Sequence, residues 1–339
     1  MSSRIRLSDV AQHAQVSTAT VSRVLNGKPD VSEKTRHAVL AALDMLGYER
    51  PEAMRARAGG LIGMIVPELS NPIFTLYAQE IERLLVGRGY MPLLCTQSPG
   101  GITEDEYVRI LLERHVDGIV FISGLHADTE ANPVRYHQLS DTPYVLINGA
   151  NPKIDAPSFD CDDRYAVTQA VNHLVSLGHS RIGLLTGPQR FAPTQAKVDG
   201  FRSAMAAVLP DETPAIATSL FTIEGGQAAA RSLIAQGCTG IIAASDLMAL
   251  GAVRQSRALG LRVPHDVSIV GFDDSPLMAF TDPPLTTVRQ PVSRISQAAV
   301  STLIQLISGS EADTSSLTFA PELLVRSSTA PAHEGKTRG

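Results

Sequence analysis

The sequence predicts a two-part α/β protein, a small all-α head followed by a larger body of alternating strands and helices arranged as two similar lobes. Apolar residues at helical spacing fill residues 7–46, and from Leu61 onward short β-branched runs alternate with helical stretches. Charge divides the same way. Residues 1–60 carry nine Lys and Arg against six Asp and Glu, a net +3, which leaves 20 against 28, or −8, for residues 61–339. A basic head on an acidic body suits a polyanion-binding module joined to a globular partner, although +3 by itself is common on solvated surfaces.

The chain has 339 residues, 44% apolar and 19% charged, which is enough for two to three domains with sizeable cores and excludes disorder as the main state. No apolar run approaches the roughly 20 residues of a membrane span. The start, MSSRIRLSDVAQHAQ, passes from basic to polar without an apolar stretch, so the expectation is a cytoplasmic, nucleoid-associated protein without a membrane partner. Cys95, Cys161 and Cys238 are odd in number and lack a CxxC pair, which fits reduced buried thiols and predicts neither a metal nor a cofactor.

In the head, Leu7, Val10, Ala11 and Ala14 form one helical face, and Gln15-Val16-Ser17 interrupts it. Ser17 is a natural N-cap for a second helix, Thr18–Leu25, with Val21, Val24 and Leu25 inward, and Asn26-Gly27 stops it. A third helix runs from Ser32 through Val39, Ala42, Leu43 and Leu46 until Gly47 ends it. This is helix-turn-helix spacing. The second helix would present Ser17, Thr18, Ala19, Thr20, Ser22, Arg23 and Asn26 to a DNA groove, with Arg23 able to grip guanine by two hydrogen bonds. Periodicity alone leaves a ligand-free helical bundle equally open.

In the body, strands are expected at Leu61–Pro67, Met91–Cys95, Gly118–Ser123, Tyr144–Asn148, Ile182–Thr186, Gly240–Ser245 and Val267–Gly271. Helices lie between them at Ile73–Leu85, Thr103–Arg114, Pro133–Leu139, Arg164–Leu177, Gln195–Val208, Glu224–Gln236 and Asp246–Leu259. The segments HVDGIVFIS and GCTGIIAAS read as corresponding strands of two lobes. Such an alternation makes parallel sheets with helices on both faces and puts ligands at the carboxyl ends of strands. The chain has no GxSxG, no HExxH and no phosphate-cradling glycine loop, so no catalytic residues are predicted. An α/β enzyme and an exported sugar-binding protein remain the competing classes, and the basic helical head argues against both.

The run LSDVAQHAQVSTATVSRVLNGKPDVSEKTRHAVLAALDMLGY closely resembles the N-terminal DNA-binding domain of the lactose/galactose repressor family of bacterial transcription factors. It matches the pattern VAxxAGVSxxTVSRVLNG at nearly every position. Gln15 stands where Gly is usual and is expected in the left-handed region. The resemblance implies operator choice through Thr18 and Ala19, contacts from Ser22 and Arg23, and phosphate contacts from Ser32, Lys34 and Arg36, capping being the other reading of Ser32. The linker departs from the family's PNALARSL hinge helix. Aligned on Pro51, Met54 replaces the first Leu and Ala58 the Leu that wedges the minor groove. A methyl group cannot wedge, so groove contact is expected to shift to Arg55 and Arg57, with a flexible basic tether as the alternative.

For the body, the resemblance implies a periplasmic-binding-protein-like core with an effector cleft between its lobes. The expected organisation is a head over 1–48, a hinge over 49–60 and a core over 61–326. The core's first lobe takes about 61–160 and 290–325 and its second 161–289, with a flexible tail over 327–339. Connections between lobes are expected near Asp160–Asp163, Leu285–Gln290 and Arg326, with a last helix at Val292–Ile307 and a last strand at Phe319–Val325. Effector contacts fall on Asn71, Phe74, Ser123, Asn148, Lys197 (where Arg is usual), Phe221, Asp246 and Asp273, a set that suits a carbohydrate. The implied protein is a repressor that binds double-stranded operator DNA as a homodimer, its seam on the helices at Ile73–Leu85 and Leu247–Leu259, and that answers to a small effector by changing its operator affinity.

Overall fold

The computed structural model describes residues 5–25, 31–48, 59–97, 100–139, 141–310 and 315–332. Asn26, Arg55, Arg57 and Ala58, with residues 49–58 of the hinge and 333–339 of the tail, lie outside the described residues. The chain divides into a head ending at Gly59 and a body beginning at Gly60.

The head is three helices, α1 (Leu7–His13), α2 (Thr18–Leu25) and α3 (Glu33–Leu46). Val10, Ala11, Val21, Val24, Leu25, Val39 and Ala42 close into one small core, the inward face that the periodicity predicts. Gln15 takes φ +54°, so a non-glycine residue occupies the left-handed turn, and Gly47 ends α3 at φ +63°.

The body has two six-stranded sheets. The first comprises β1 (Gly60–Val66), β2 (Tyr90–Thr96), β3 (Gly118–Ile122), β4 (Tyr144–Ile147), β5 (Ser158–Cys161) and β11 (Leu317–Phe319), in the order β2-β1-β3-β4-β5-β11. The second comprises β6 (Ile182–Thr186), β7 (Ala215–Thr218), β8 (Gly240–Ala243), β9 (Ser268–Asp273), β10 (Thr286–Arg289) and β12 (Glu322–Leu324), in the order β7-β6-β8-β9-β10-β12. Every pairing is parallel except β10 with β12. β3 and β8 hold the same place in the two orders, so the lobes repeat one topology. The helices are α4 (Pro72–Gly87), α5 (Glu104–Glu113), α6 (Val134–His137), α7 (Asp163–Ser176), α8 (Ala192–Val208), α9 (Ile223–Ala235), α10 (Asp246–Ala258) and α11 (Val292–Ile307).

Three expectations need correction. The strand expected over Phe319–Val325 is two strands in different sheets, because Pro321 lacks the N–H a continuous ladder needs. The last passage between lobes therefore falls at 320–321, and lobe 1 does not extend to 325. Leu285–Gln290, expected only as a connection, is mostly strand β10. The tail over 327–332 is not loose: Ser328 is fully buried, its Oγ donating to Ile269 O (2.6 Å) and accepting from Thr286 N (2.7 Å), while Ala332 N reaches Leu177 O at 2.8 Å. Its Ser, Thr and Pro composition suggests disorder, but the sheet edge supplies the partners that order it.

Two contacts fix lobe 2. α9 and α10 cross at Gly226 and Gly251, where a Cβ on Gly251 would collide with the Ile223 carbonyl oxygen and the Gln227 N. Asp246, at the start of α10 and 1% exposed, accepts from Ser275 N and Thr287 Oγ1, each at 2.7 Å, and so ties α10 to β10 and to the exit of β9. Burial pushes its carboxyl up to about 7.

Gly251→Ala is expected to cost about 1–3 kcal/mol, read as a lower urea midpoint at unchanged slope. For Asp246, a folded pKa near 7 against an unfolded value of about 3.9 means the fold keeps a proton that the unfolded chain releases. The stabilisation is complete below about pH 4 and is lost as pH rises through about 7. Asp246→Asn keeps both hydrogen bonds, its carbonyl accepting from Ser275 and its amide donating to Thr287. The unfolding free energy of the variant relative to the parent should therefore rise from pH 5 to 7, with a limiting slope of about 1.4 kcal/mol per pH unit. Parallel pH profiles would refute the assignment.

Candidate functional site

In the head, Ser17 caps α2 by accepting from Thr20 N at 3.1 Å, and its hydroxyl also meets Thr20 Oγ1 at 2.9 Å. Ser32 does the same for α3 through Thr35 N and Oγ1. Capping thus accounts for both serines. Thr18, Ala19 and Arg23 are exposed along α2, and Thr20 and Ser22 are half-buried beside them. Lys34 is exposed and Arg36 half-buried in the first turn of α3. Val21, Val24 and Leu25 spend the opposite face of α2 on the core, so one continuous polar face remains.

In the body, a cavity of about 190 Å3 lies between the lobes at the carboxyl ends of their strands, where ligands of such folds gather. It brings together Asn71, Phe74, Ser123, Asn148, Lys197, Phe221 and Asp273, seven of the eight residues expected there. Asp246 is the exception and a correction: Ser245 lines the cavity in its place, and the Asp246 carboxylate is consumed by Ser275 and Thr287.

Four phenyl rings face the space, Phe74 from lobe 1 and Phe191, Phe221 and Phe272 from lobe 2. The Phe221 ring lies against Gly187, where any Cβ would strike it. In the same lining, Asn148 Nδ2 donates to Ser123 Oγ at 2.6 Å. Both residues sit at strand ends with positive φ, +62° and +46°, backbone strain of the kind that collects where a ligand must be approached closely. Lys197 is 5% exposed and places Nζ 2.6 Å from Asp163 Oδ1 and 4.0 Å from the centroid of the Phe272 ring. Burial lifts the Asp163 carboxyl above the usual carboxylate range, and the adjacent ammonium only partly offsets it. Asp273 is raised further, by burial and then by Asp246. Thr194, 1% exposed in the wall, has an Oγ1 with no hydrogen-bond partner among the described residues.

Across the cavity mouth the lobes touch. Thr129 N and Oγ1 both donate to Arg190 O at 2.9 Å, and Arg190 Nε lies 3.1 Å from Asp128 Oδ2. Sequence reasoning missed Phe191, Thr194, Phe272 and Gln290. The first two follow β6 and Phe272 is the second-last residue of β9, so the rule that ligands gather at strand carboxyl ends was the signal available. Among the described residues, no helix is long and apolar enough to cross a membrane.

Comparison with known proteins agrees with both halves. The family model described as bacterial regulatory proteins, lacI family, matches residues 6–51, and that of a periplasmic binding protein-like domain matches residues 171–329. The chain is 56% identical to the HTH-type transcriptional regulator reg1 of Streptomyces lividans, over 96% of this chain and 97% of that protein. Among solved structures, the transcriptional regulator CelR in complex with cellobiose is similar at a TM-score of 0.71 and 33% identity, covering 96% of this chain and all of that one. The lac repressor dimer bound to operator and the anti-inducer ONPF matches at 0.71 and 28% identity, over 97% of this chain and 100% of that one. With a helix-turn-helix head, a two-lobed body and full-length relatives of this similarity, the chain belongs to the lacI family of bacterial regulatory proteins.

Proposed function

We propose that this regulator represses transcription by binding a two-fold operator as a homodimer, and that a sugar or sugar derivative in the interlobe cavity resets its operator affinity. The exposed face of α2 would read base edges through Thr18, Ala19, Ser22 and Arg23, with Lys34 and Arg36 at the start of α3 on phosphates. An operator partner would hold the protein at the nucleoid in the cytoplasm.

The effector reading rests on one observation, the composition of the cavity. Apolar rings line the same space as amides, hydroxyls and a carboxylate, a mixture that suits a sugar's apolar face and hydroxyl edge. The carboxyls of Asp163 and Asp273 are held above their usual range by burial, so hydroxyl donors that relieve Asp273 are favoured occupants. Thr194 Oγ1 offers one more bond to a hydroxyl. Lys197 is already paired with Asp163, which leaves little reason for an anionic occupant. CelR, a similar regulator, is known with cellobiose bound, and that supports the class without naming this chain's sugar.

The dimer seam was expected on α4 and α10. The apolar side of α10 is consumed against α9, with Arg254 and Arg257 outward, so the second-lobe share of the seam is better assigned to Leu277 and Phe280. Phe280 is 85% and Leu277 67% exposed, an adjacent apolar pair that a second copy of the chain would cover.

A fluorescence-polarisation titration at physiological salt should show at least a thousandfold preference for a palindromic operator with a central CG step over a scrambled duplex. Arg23→Ala should lower that preference by about 1–3 kcal/mol, and addition of neutral sugars to the same assay identifies the effector. Equal, salt-sensitive binding to both duplexes, persisting across a library of randomised sites, refutes the operator reading. Light scattering should give twice the chain mass for the parent and a shift toward monomer for Phe280→Glu, whereas a monomeric parent with full operator affinity would overturn the dimer.

A further inference from the structure

Three buried side chains form a hydrogen-bonded line from the cavity to α4. Gln290 Nε2 donates to Asp273 Oδ1 at 2.7 Å, and Tyr77 Oη donates to Gln290 Oε1 at 3.0 Å. Asp273 ends β9 in lobe 2, Gln290 lies on the passage between β10 and α11, and Tyr77 is on α4 in lobe 1. Tyr77 is fully buried, and Gln290 and Asp273 are each 4% exposed.

The line runs from lobe 1 to the cavity. Burial holds the Tyr77 phenol well above its usual range, so it keeps its proton, which it donates to Gln290 Oε1. The amide N–H is then left for the carboxylate. In a packed interior none of the three can move without the next. Asp273 and Gln290 both line the cavity, whereas Tyr77 does not.

A second contact joins the same two elements one helical turn away: Ser293 Oγ, in the first turn of α11, donates to Glu80 Oε1 at 2.9 Å, and Arg83 also holds Glu80. Tyr77 and Glu80 on α4 thus meet Gln290 and Ser293, each pair three residues apart. The inner link continues to the cavity, and the outer link stops at the surface.

We propose that Gln290 is a positioning residue that couples Asp273 to α4 through the Tyr77 hydroxyl, so that a hydroxyl donor arriving at Asp273 changes how α4 is seated in lobe 1. This deepens the effector reading and rests on it for the identity of the occupant. The outer link supplies the control, because cutting it loosens α4 without touching the line to the cavity.

The test is amide hydrogen exchange of α4 in the full-length chain. Asp273→Gly removes the carboxylate and suits the φ of +116° at that position. It should speed α4 exchange at least threefold in the parent and in Ser293→Ala, and less than 1.5-fold in Tyr77→Phe, which keeps the ring but lacks the hydroxyl. If circular dichroism shows Asp273→Gly unfolded, Gln290→Leu takes its place in the same cycle. An equal factor with and without the Tyr77 hydroxyl, or no change in the parent, overturns the coupling. A calorimetric panel of glucose, ribose, maltose and cellobiose on the parent separates the two readings. If none binds, the effector reading fails, and the exchange cycle still decides the coupling. If one binds, it should slow α4 exchange at least threefold in the parent and less than 1.5-fold in Tyr77→Phe, with its Kd moved less than threefold. An unchanged response in Tyr77→Phe refutes the proposal.

Discussion

Lys197 lies 2.6 Å from Asp163 and 4.0 Å from the Phe272 ring, at the point where the chain has just left sheet one and entered lobe 2. Asp163, Asp246 and Asp273 are all buried around this junction, and each is raised above its ordinary range chiefly by burial. One ammonium cannot compensate three carboxylates at this depth. The remainder is met by the raised proton affinity of these carboxyls and by hydrogen bonds from Ser275, Thr287 and Gln290, so lobe 2 packs around the junction in the arrangement that delivers those donors. The lobe 2 side of the cavity is therefore shaped by the burial of carboxyls as well as by anything that enters it.

The topology explains why the donors come from so many places in the sequence. Both sheets have the same strand order, and three passages between them interleave residues more than a hundred positions apart. Gln290 reaches the cavity because β10 and α11 belong to different lobes. The run from Pro321 through Ala332 then returns to lobe 2 and closes it, with β12 antiparallel on β10 and Ser328 bridging Thr286 and Ile269. A terminus used this way fixes the edge of the second sheet, which would otherwise present unpaired backbone groups.

Much of this was legible in the sequence wherever structure is set by local pattern. Helical periodicity placed α2 at its observed bounds, capping chemistry located Ser17 and Ser32, and the left-handed turn at Gln15 followed from the resemblance, whose pattern carries Gly there. Two short strands were not legible. β5 (SFDC) and β7 (AIAT) lack the continuous apolar run that marks the equally short β4 (YVLI) and β8 (GIIA), and β7 lies half-buried at an edge where alternation is weak. The cavity was legible in part: residues carried by motif were brought together, while Thr194 and Gln290 belong to it only through tertiary placement. Asp246 misled because a carboxylate at a strand's carboxyl end reads the same whether it faces a ligand or its own fold.

Lys197 is a lysine where the family resemblance leads one to expect arginine, and the difference between the two cations has a physical consequence. A guanidinium presents five donors in a planar fork, and two carboxylates or a carboxylate and a hydroxyl are needed to satisfy it. An ammonium is a compact charge with three rotatable donors, and here one of them goes to Asp163 while the face of Phe272 stabilises the rest. Asp273 is then left to hydrogen-bond with Gln290 and not with a fork from α8. An arginine at this position would compete with Gln290 for the Asp273 carboxylate and weaken the line to Tyr77. The shorter, single-point cation is thus what leaves Asp273 tied to the interlobe passage.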